Sequence, residues 1–220
     1  MTDGAAALRF LPLGAASPGE RAAFFALYHE ALPASERKPD AAILAMAQQA
    51  DWVVELAIRE AEPVGLLVLY RARTQPIALL DYLAVSASAR GGGLGSALFA
   101  RVAALAEGRA LLVEVESDGD SGAPDLAQRR RRKRFYARQG CRQLAGLAYR
   151  MPALGSETPP PMDLLALTSH DAIARETVHA WLTDIYVHAY GQPADNLLIA
   201  QMMADLPAQL AFTPLSPAGN

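Results

Sequence analysis

One cysteine, Cys141, stands in 220 residues, so no disulfide can form within the chain. Four histidines and that lone thiol are too few for the usual structural zinc site. His170, His179 and His188 follow one another at intervals of nine, which would alternate them across opposite sides of a helix, so no metal is expected. Only two lysines occur, Lys38 and Lys133, and neither follows glycine, which excludes a Walker phosphate loop. There is no Gly-x-Ser-x-Gly elbow, and Cys141 reads as a small core residue, not a nucleophile. No uninterrupted run approaches the ~20 apolar residues of a spanning helix, and the first stretch lacks a basic start followed by a long apolar segment. Neither charge sign dominates: twenty basic residues against twenty-three acidic leave a net charge of -3, too balanced for a general nucleic-acid or membrane-surface binder. These absences describe a reduced, cytoplasmic chain with neither nucleic acid nor membrane as partner.

What is present suits a folded core, with 52% apolar and 20% charged residues. Ala7 to Leu13 reads as a short strand, and Ser17-Pro18-Gly19-Glu20 as the start of a helix reaching about Leu32. A second helix is expected over Ala41 to Ala50. Trp52 to Arg59, Val64 to Tyr70 and Ile77 to Val85 are rich in β-formers at hairpin spacing, which implies consecutive antiparallel strands. From Gly91 the pattern becomes helical, with Leu94, Leu98, Val102 and Leu105 on one face, and Leu111 to Val115 follows as a buried strand. After a turn-rich stretch from Ser117 to Gln128 come a helix over Arg129 to Gln139 and two strands, Arg142 to Met151 and Met162 to Leu167. The connection from Gly155 to Pro161 joins those strands as a long hairpin loop. Ser169 to Tyr190 carries Val178, Trp181, Leu182, Ile185 and Ala189 on one helical stripe, and a shorter helix over Ala194 to Leu206 precedes a loose tail. The expected division is therefore a domain over 1–168, a helical extension over 169–208 and a tail over 209–220. An apolar stripe of that size should be covered, either by its own domain or in a homodimer through the C-terminal helices.

The sharpest feature is the strand ending in Leu83-Ala84-Val85, followed by Arg90-Gly91-Gly92-Gly93-Leu94-Gly95-Ser96 opening a helix. Glycines let a backbone approach a ligand closely, and free N–H groups at a helix start suit a pyrophosphate. A dinucleotide fingerprint is the nearest rival, since Glu114 and Glu116 lie about 20 residues beyond at a strand end. Ser96, however, stands where the third glycine belongs, and the preceding strands look antiparallel.

This segment resembles the acyl-CoA-binding motif of the GNAT superfamily of N-acyltransferases, in which Arg90, Gly93 and Gly95 fill the arginine, glycine and glycine positions. A second block agrees: Phe135-Tyr136 with Gly140-Cys141 looks like the family's Phe-Tyr segment, Cys141 replacing the usual phenylalanine. The resemblance covers about residues 7 to 168. It implies an α/β fold, a mixed and mainly antiparallel sheet flanked by helices, with the C-terminal helical extension outside it. It also implies acetyl-CoA as co-substrate and a small-molecule or peptide amine as acceptor. On the cofactor side it implies the backbone of Leu83, Ala84 and Val85 for the acyl carbonyl and pantetheine arm, and Arg90, Gly91, Gly92, Gly93, Leu94, Gly95 and Ser96 for the pyrophosphate.

Transfer of an acyl group to an amine needs a neutral nucleophile and a proton for the departing thiolate. Tyr136 falls where many members carry a tyrosine thought to protonate that thiolate. Glu114, in Val113-Glu114-Val115, resembles the strand glutamate that some members use as base, and Glu116 would point to the same side, so that two carboxylates in one site could raise one pKa. Asp81 is a third candidate. Asp81, Glu114, Glu116, Asp118 and Asp120 together suggest an acidic environment for a cationic acceptor. Arg129 to Arg134 cannot place all six cations on one helical face, so most should be solvated. The family's asparagine contact to coenzyme A is missing, because arginine stands at position 129. The rival function is an acyl-CoA-binding sensor that keeps the loop without turnover.

Overall fold

The computed structural model describes residues 7–32, 34–153 and 159–215. Pro33, most of the Gly155 to Pro161 connection and the end of the expected tail lie outside them. The chain forms two compact units, residues 1–71 with 80–105, and residues 72–79 with 106–220. The boundary expected at residue 168 is not where they divide.

The first unit begins with β1 (Arg9–Pro12) and α1 (Pro18–Ala31). Ser17 and Glu20 form a reciprocal capping box around Pro18, as the sequence predicts. The helix α2 (Asp40–Met46) is shorter than expected. Then β2 (Trp52–Arg59), β3 (Glu62–Arg71) and β4 (Ile77–Val85) follow, and β2 pairs antiparallel with both β1 and β3. The β2–β3 turn rests on Glu60 and Ala61, both at positive φ, and the register shifts by a bulge between Ala57 and Ile58, next to Pro63. Helix α3 (Leu94–Leu105) buries Leu94 and Leu98 with Ala57, Val64 and Ala89, and Leu83 and Val85 of β4 pack on the same cluster. Gly65 makes that packing possible: a Cβ there would lie 2.7 Å from Leu98 Cδ1 and 2.9 Å from the Ala84 carbonyl oxygen. The glycine loop is thus anchored at its strand end and at its helix end by one apolar cluster.

In the second unit the order is the start of β4, β5 (Ala110–Glu116), β7 (Met162–Leu167), β6 (Arg142–Leu144), β9 (Gln209–Pro214) and β8 (Ala172–Ala174). β5 pairs antiparallel with β7, placing Glu114 opposite Leu164. Helix α4 (Leu126–Arg138) lies against β5. The strand expected over Arg142 to Met151 stops at Leu144, because the chain turns at Gly146 with φ +79°. The fold class holds as expected, α/β with a mainly antiparallel sheet and flanking helices.

Two corrections concern the C-terminal part. Residues 209–214, expected as part of a loose tail, form β9, whose alternate residues Leu210 and Phe212 are buried while β6 and β8 bind its two edges. Ser169 to Tyr190 is not one helix: β8 precedes α5 (Arg175–Asp184), and a π-helical turn covers Ile185–Ala189 before α6 (Leu197–Met203). Val178, Trp181, Leu182 and Ile185 are all buried within their own chain, which removes the apolar stripe as a motive for a homodimer.

Candidate active site

In the first unit, a 3-10 turn over Ala87–Ala89 leads to Arg90, after which Gly91 and Gly93 adopt φ of +89° and +76°. These are left-handed conformations that a side chain rarely tolerates. Among the described residues, nothing lies within 4 Å of where a Cβ would stand on Gly91, Gly92 or Gly93, so the loop faces open space. Arg90 and Ser96 are exposed, Leu94 is buried as the anchor, and Gly95 is half-buried. Ala97 N–H donates to the Gly93 oxygen at 3.1 Å, so the amides from Gly93 to Ser96 belong to the helix start where anions are favoured. Ala84 is buried, whereas Leu83 and Val85 are half-buried.

Asp81, the third candidate base, is engaged. Lys38 Nζ donates to its two carboxylate oxygens at 2.6 and 2.7 Å, with side chains 7% and 4% exposed. The ammonium also sits 5.8 Å from the Trp52 ring centre and 5.3 Å from that of Tyr82. Tyr82 donates to the Glu36 carbonyl at 2.9 Å and accepts from Lys38 N–H at 3.1 Å, while Tyr28 donates to the Lys38 carbonyl at 3.2 Å. Burial pushes the Tyr28 phenol up to about 12, helped by the Asp81 charge. Asp81 therefore pins the segment between α1 and α2 instead of offering a free carboxylate. Removing one partner of such a buried pair typically costs about 3–5 kcal/mol. Asp81→Asn should accordingly lower the denaturant midpoint clearly, and an unchanged midpoint would show that the pair does not hold this segment.

In the second unit, the acidic residues divide among separate partners. Glu116 accepts from Arg132 at 2.9 Å and pairs with Arg129 at 3.5 Å, and Arg129 also donates to Asp125 at 2.8 Å. Lys133 bridges Asp118 at 2.5 Å and Asp163 at 2.7 Å. Glu116 is therefore already ion-paired with two guanidinium groups and is not a free carboxylate beside Glu114. The acidic cluster expected around a cationic acceptor is likewise largely internal ion pairing, with Asp120 accepting from Gly122 N–H at 2.9 Å. The basic run behaves as its helical spacing requires: Arg129, Arg132 and Lys133 turn inward to acids, and Arg130, Arg131 and Arg134 are exposed.

Glu114 is half-buried and accepts hydrogen bonds from two phenols, Tyr149 on Oε1 and Tyr190 on Oε2. The sequence pattern marks neither tyrosine; they stand 35 and 76 residues away along the chain. Tyr136, on α4, is 8% exposed and packs edge-on against Phe135 at 5.1 Å. Burial raises its phenol pKa, opposed by the nearby Arg132 charge, so the group is protonated at neutral pH. Cys141 is buried and its thiol is pushed up to about 12, so it is chemically quiet.

The fold is the one shared by a class of solved acetyltransferases. Residues 21–140, more than half of the chain, match the Acetyltransferase (GNAT) family, and the chain belongs to it. Among solved structures, a GNAT-family protein from Bacteroides thetaiotaomicron superimposes with a TM-score of 0.70 at 18% identity, covering 84% of this chain and 99% of that one. An acetyltransferase from Thermus thermophilus gives 0.52 at 18% identity over 74% of this chain and 97% of its own. The ribosomal-protein-S18-alanine N-acetyltransferase of Escherichia coli gives 0.50 at 15% identity over 73% and 93%. At such identities these likenesses concern the fold. No curated protein matches the sequence. Among the described residues, no helix is long and apolar enough to cross a membrane.

Proposed function

We propose that this protein transfers an acetyl group from acetyl-CoA to a primary amine of a small molecule or peptide. The observation that carries the reading is the loop from Arg90 to Ser96, with Gly91 and Gly93 in left-handed backbone, open space around them and a helix start behind them. Such a loop fits a pyrophosphate, since its amides can be approached closely and the helix dipole favours negative charge. Arg90 would add a guanidinium to that end, and the Leu83-Ala84-Val85 backbone would hold the pantetheine arm. Acetyl-CoA supplies an activated acyl group as a thioester.

The protein's own residues then handle protons. Glu114, as a carboxylate, draws an ammonium and accepts its proton. Tyr136, protonated at neutral pH, supplies a proton to the thiolate. We place the reaction in the cytoplasm, where the buried Cys141 stays reduced. The engagement of Glu114 by two phenols also suits the rival reading, an acyl-CoA sensor without turnover. A thiol-release assay with acetyl-CoA across polyamines, amino acids, aminoglycosides and peptide N-termini separates them. Release that requires an amine is expected, and binding of acetyl-CoA without release with any amine would leave the sensor.

A further inference from the structure

The clamp on Glu114 comes largely from chain that follows the family-matched residues. Tyr149 lies beyond β6, and Tyr190 stands at the end of the π-helical turn after α5. In that turn Tyr190 N–H bonds the Ile185 carbonyl five residues back at 3.2 Å, so the helix is widened by one residue just where it delivers Tyr190. A π-turn rotates everything after it relative to an α-helix, and such turns recur at functional positions. Neighbouring contacts fix the arrangement: Tyr186 stacks edge-on to Tyr190 at 6.3 Å and donates to the Arg150 carbonyl at 2.5 Å, and Gln192 N–H returns to the Tyr186 carbonyl at 2.8 Å. Tyr149 is 1% and Tyr190 9% exposed, so both phenols are ordered by burial.

We propose that Tyr190 and Tyr149 are positioning residues for Glu114, and that the C-terminal extension, through Tyr190, is a working part of the catalytic apparatus. This rests on the reading of Glu114 as the group that accepts the amine's proton. An ionised carboxylate has about four lone-pair directions. One phenol on each oxygen stops rotation of the carboxylate and fixes the directions of the remaining lone pairs, along which an ammonium can approach. The two donors also favour the charged form. Neighbouring groups are committed elsewhere: Tyr186 donates to Arg150, and Glu116, two residues along β5, is held by Arg129 and Arg132.

The test uses the full chain. Burial and the Glu114 charge beside it hold the Tyr149 phenol well above its usual range, and ultraviolet pH titration reads that ionisation. In Glu114→Gln a tyrosine ionisation should move down, and an unchanged titration would overturn the clamp itself, whatever the enzyme does. In kinetics, Tyr190→Phe should lower kcat by about tenfold to a hundredfold with KM for acetyl-CoA unchanged. Its acidic limb should shift upward by about one pH unit, since losing a donor makes the carboxyl easier to protonate. In the Glu114→Gln background, the same substitution should have almost no further effect on kcat. Wild-type kcat and pH profile in a folded Tyr190→Phe variant, or an equal loss in both backgrounds, would overturn the positioning role while acetyl transfer stands. If the wild type transfers nothing to any amine, the proposed reaction fails, the catalytic part of this inference fails with it, and the titration decides whether the clamp exists.

Discussion

Tyr136→Phe should cut turnover by about a hundredfold to ten-thousandfold and leave acetyl-CoA affinity near that of the wild type. The substitution removes one hydroxyl and keeps the ring that packs on Phe135, so folding should survive. Because burial holds the phenol's pKa above its ordinary value, the proton it delivers is present at neutral and mildly alkaline pH. The acid role therefore produces no alkaline limb in the usual working range. A purely packing role predicts almost no change in turnover. Glu114→Gln is the companion: its loss should ease at high pH, where more of the amine is already neutral and base assistance matters less. A pH-independent loss would mean that Glu114 positions the acceptor without taking its proton. If neither substitution slows a demonstrated transfer, the fold assignment stands and this proton chemistry does not.

The second large effect is on binding. Gly93→Val places a β-branched residue at φ +76°, a backbone conformation such residues rarely adopt. Strain of this kind is worth about 1–3 kcal/mol, which corresponds to about a fivefold to 150-fold loss of acetyl-CoA affinity if the loop relaxes away from its ligand-ready shape. Gly91→Val, at φ +89°, should behave alike. Gly92 has no positive φ and, among the described residues, no atom within 4 Å of its virtual Cβ, so Gly92→Ala carries no strain or clash of its own. Any loss of affinity there reports the ligand's approach to the loop. Calorimetric titration of correctly folded variants measures each case, and unchanged affinity in Gly93→Val would detach the loop from coenzyme binding.

The path of the chain from β1 to α4 is legible in the sequence because its signals are local: the Ser17–Glu20 cap, the β-forming runs, the glycine loop and the α3 stripe each sit within a few turns of sequence. The C-terminal part is less so. Gln209 to Pro214 alternates buried and exposed residues over its first four positions, but prolines at 207, 214 and 217 make it look like a tail, and its two partner strands come from distant segments. The π-turn leaves no mark in a periodicity that counts apolar residues. Strand β6 ends early at a signal that is present, Gly146, whose left-handed turn breaks the strand pattern.

At the candidate site, backbone features can be located from sequence and side-chain partners cannot. The glycines alone place Arg90 to Ser96 at a helix start. That Asp81 belongs to Lys38, Glu116 to Arg129 and Arg132, and Glu114 to Tyr149 and Tyr190 depends on contacts across 35 to 76 residues for Glu114 and 43 for Asp81. No spacing rule reaches that far. The sequence shows how many carboxylates there are; only the packing shows which of them are already neutralised.

The most direct measurement of the central claim is mass analysis of the acceptor after incubation with acetyl-CoA and the wild-type protein, taken together with the free thiol released. An N-acetylated amine formed in step with the thiol is the predicted result. Thiol release with no acetylated amine, or binding of acetyl-CoA with neither product across the whole panel of amines, would contradict it.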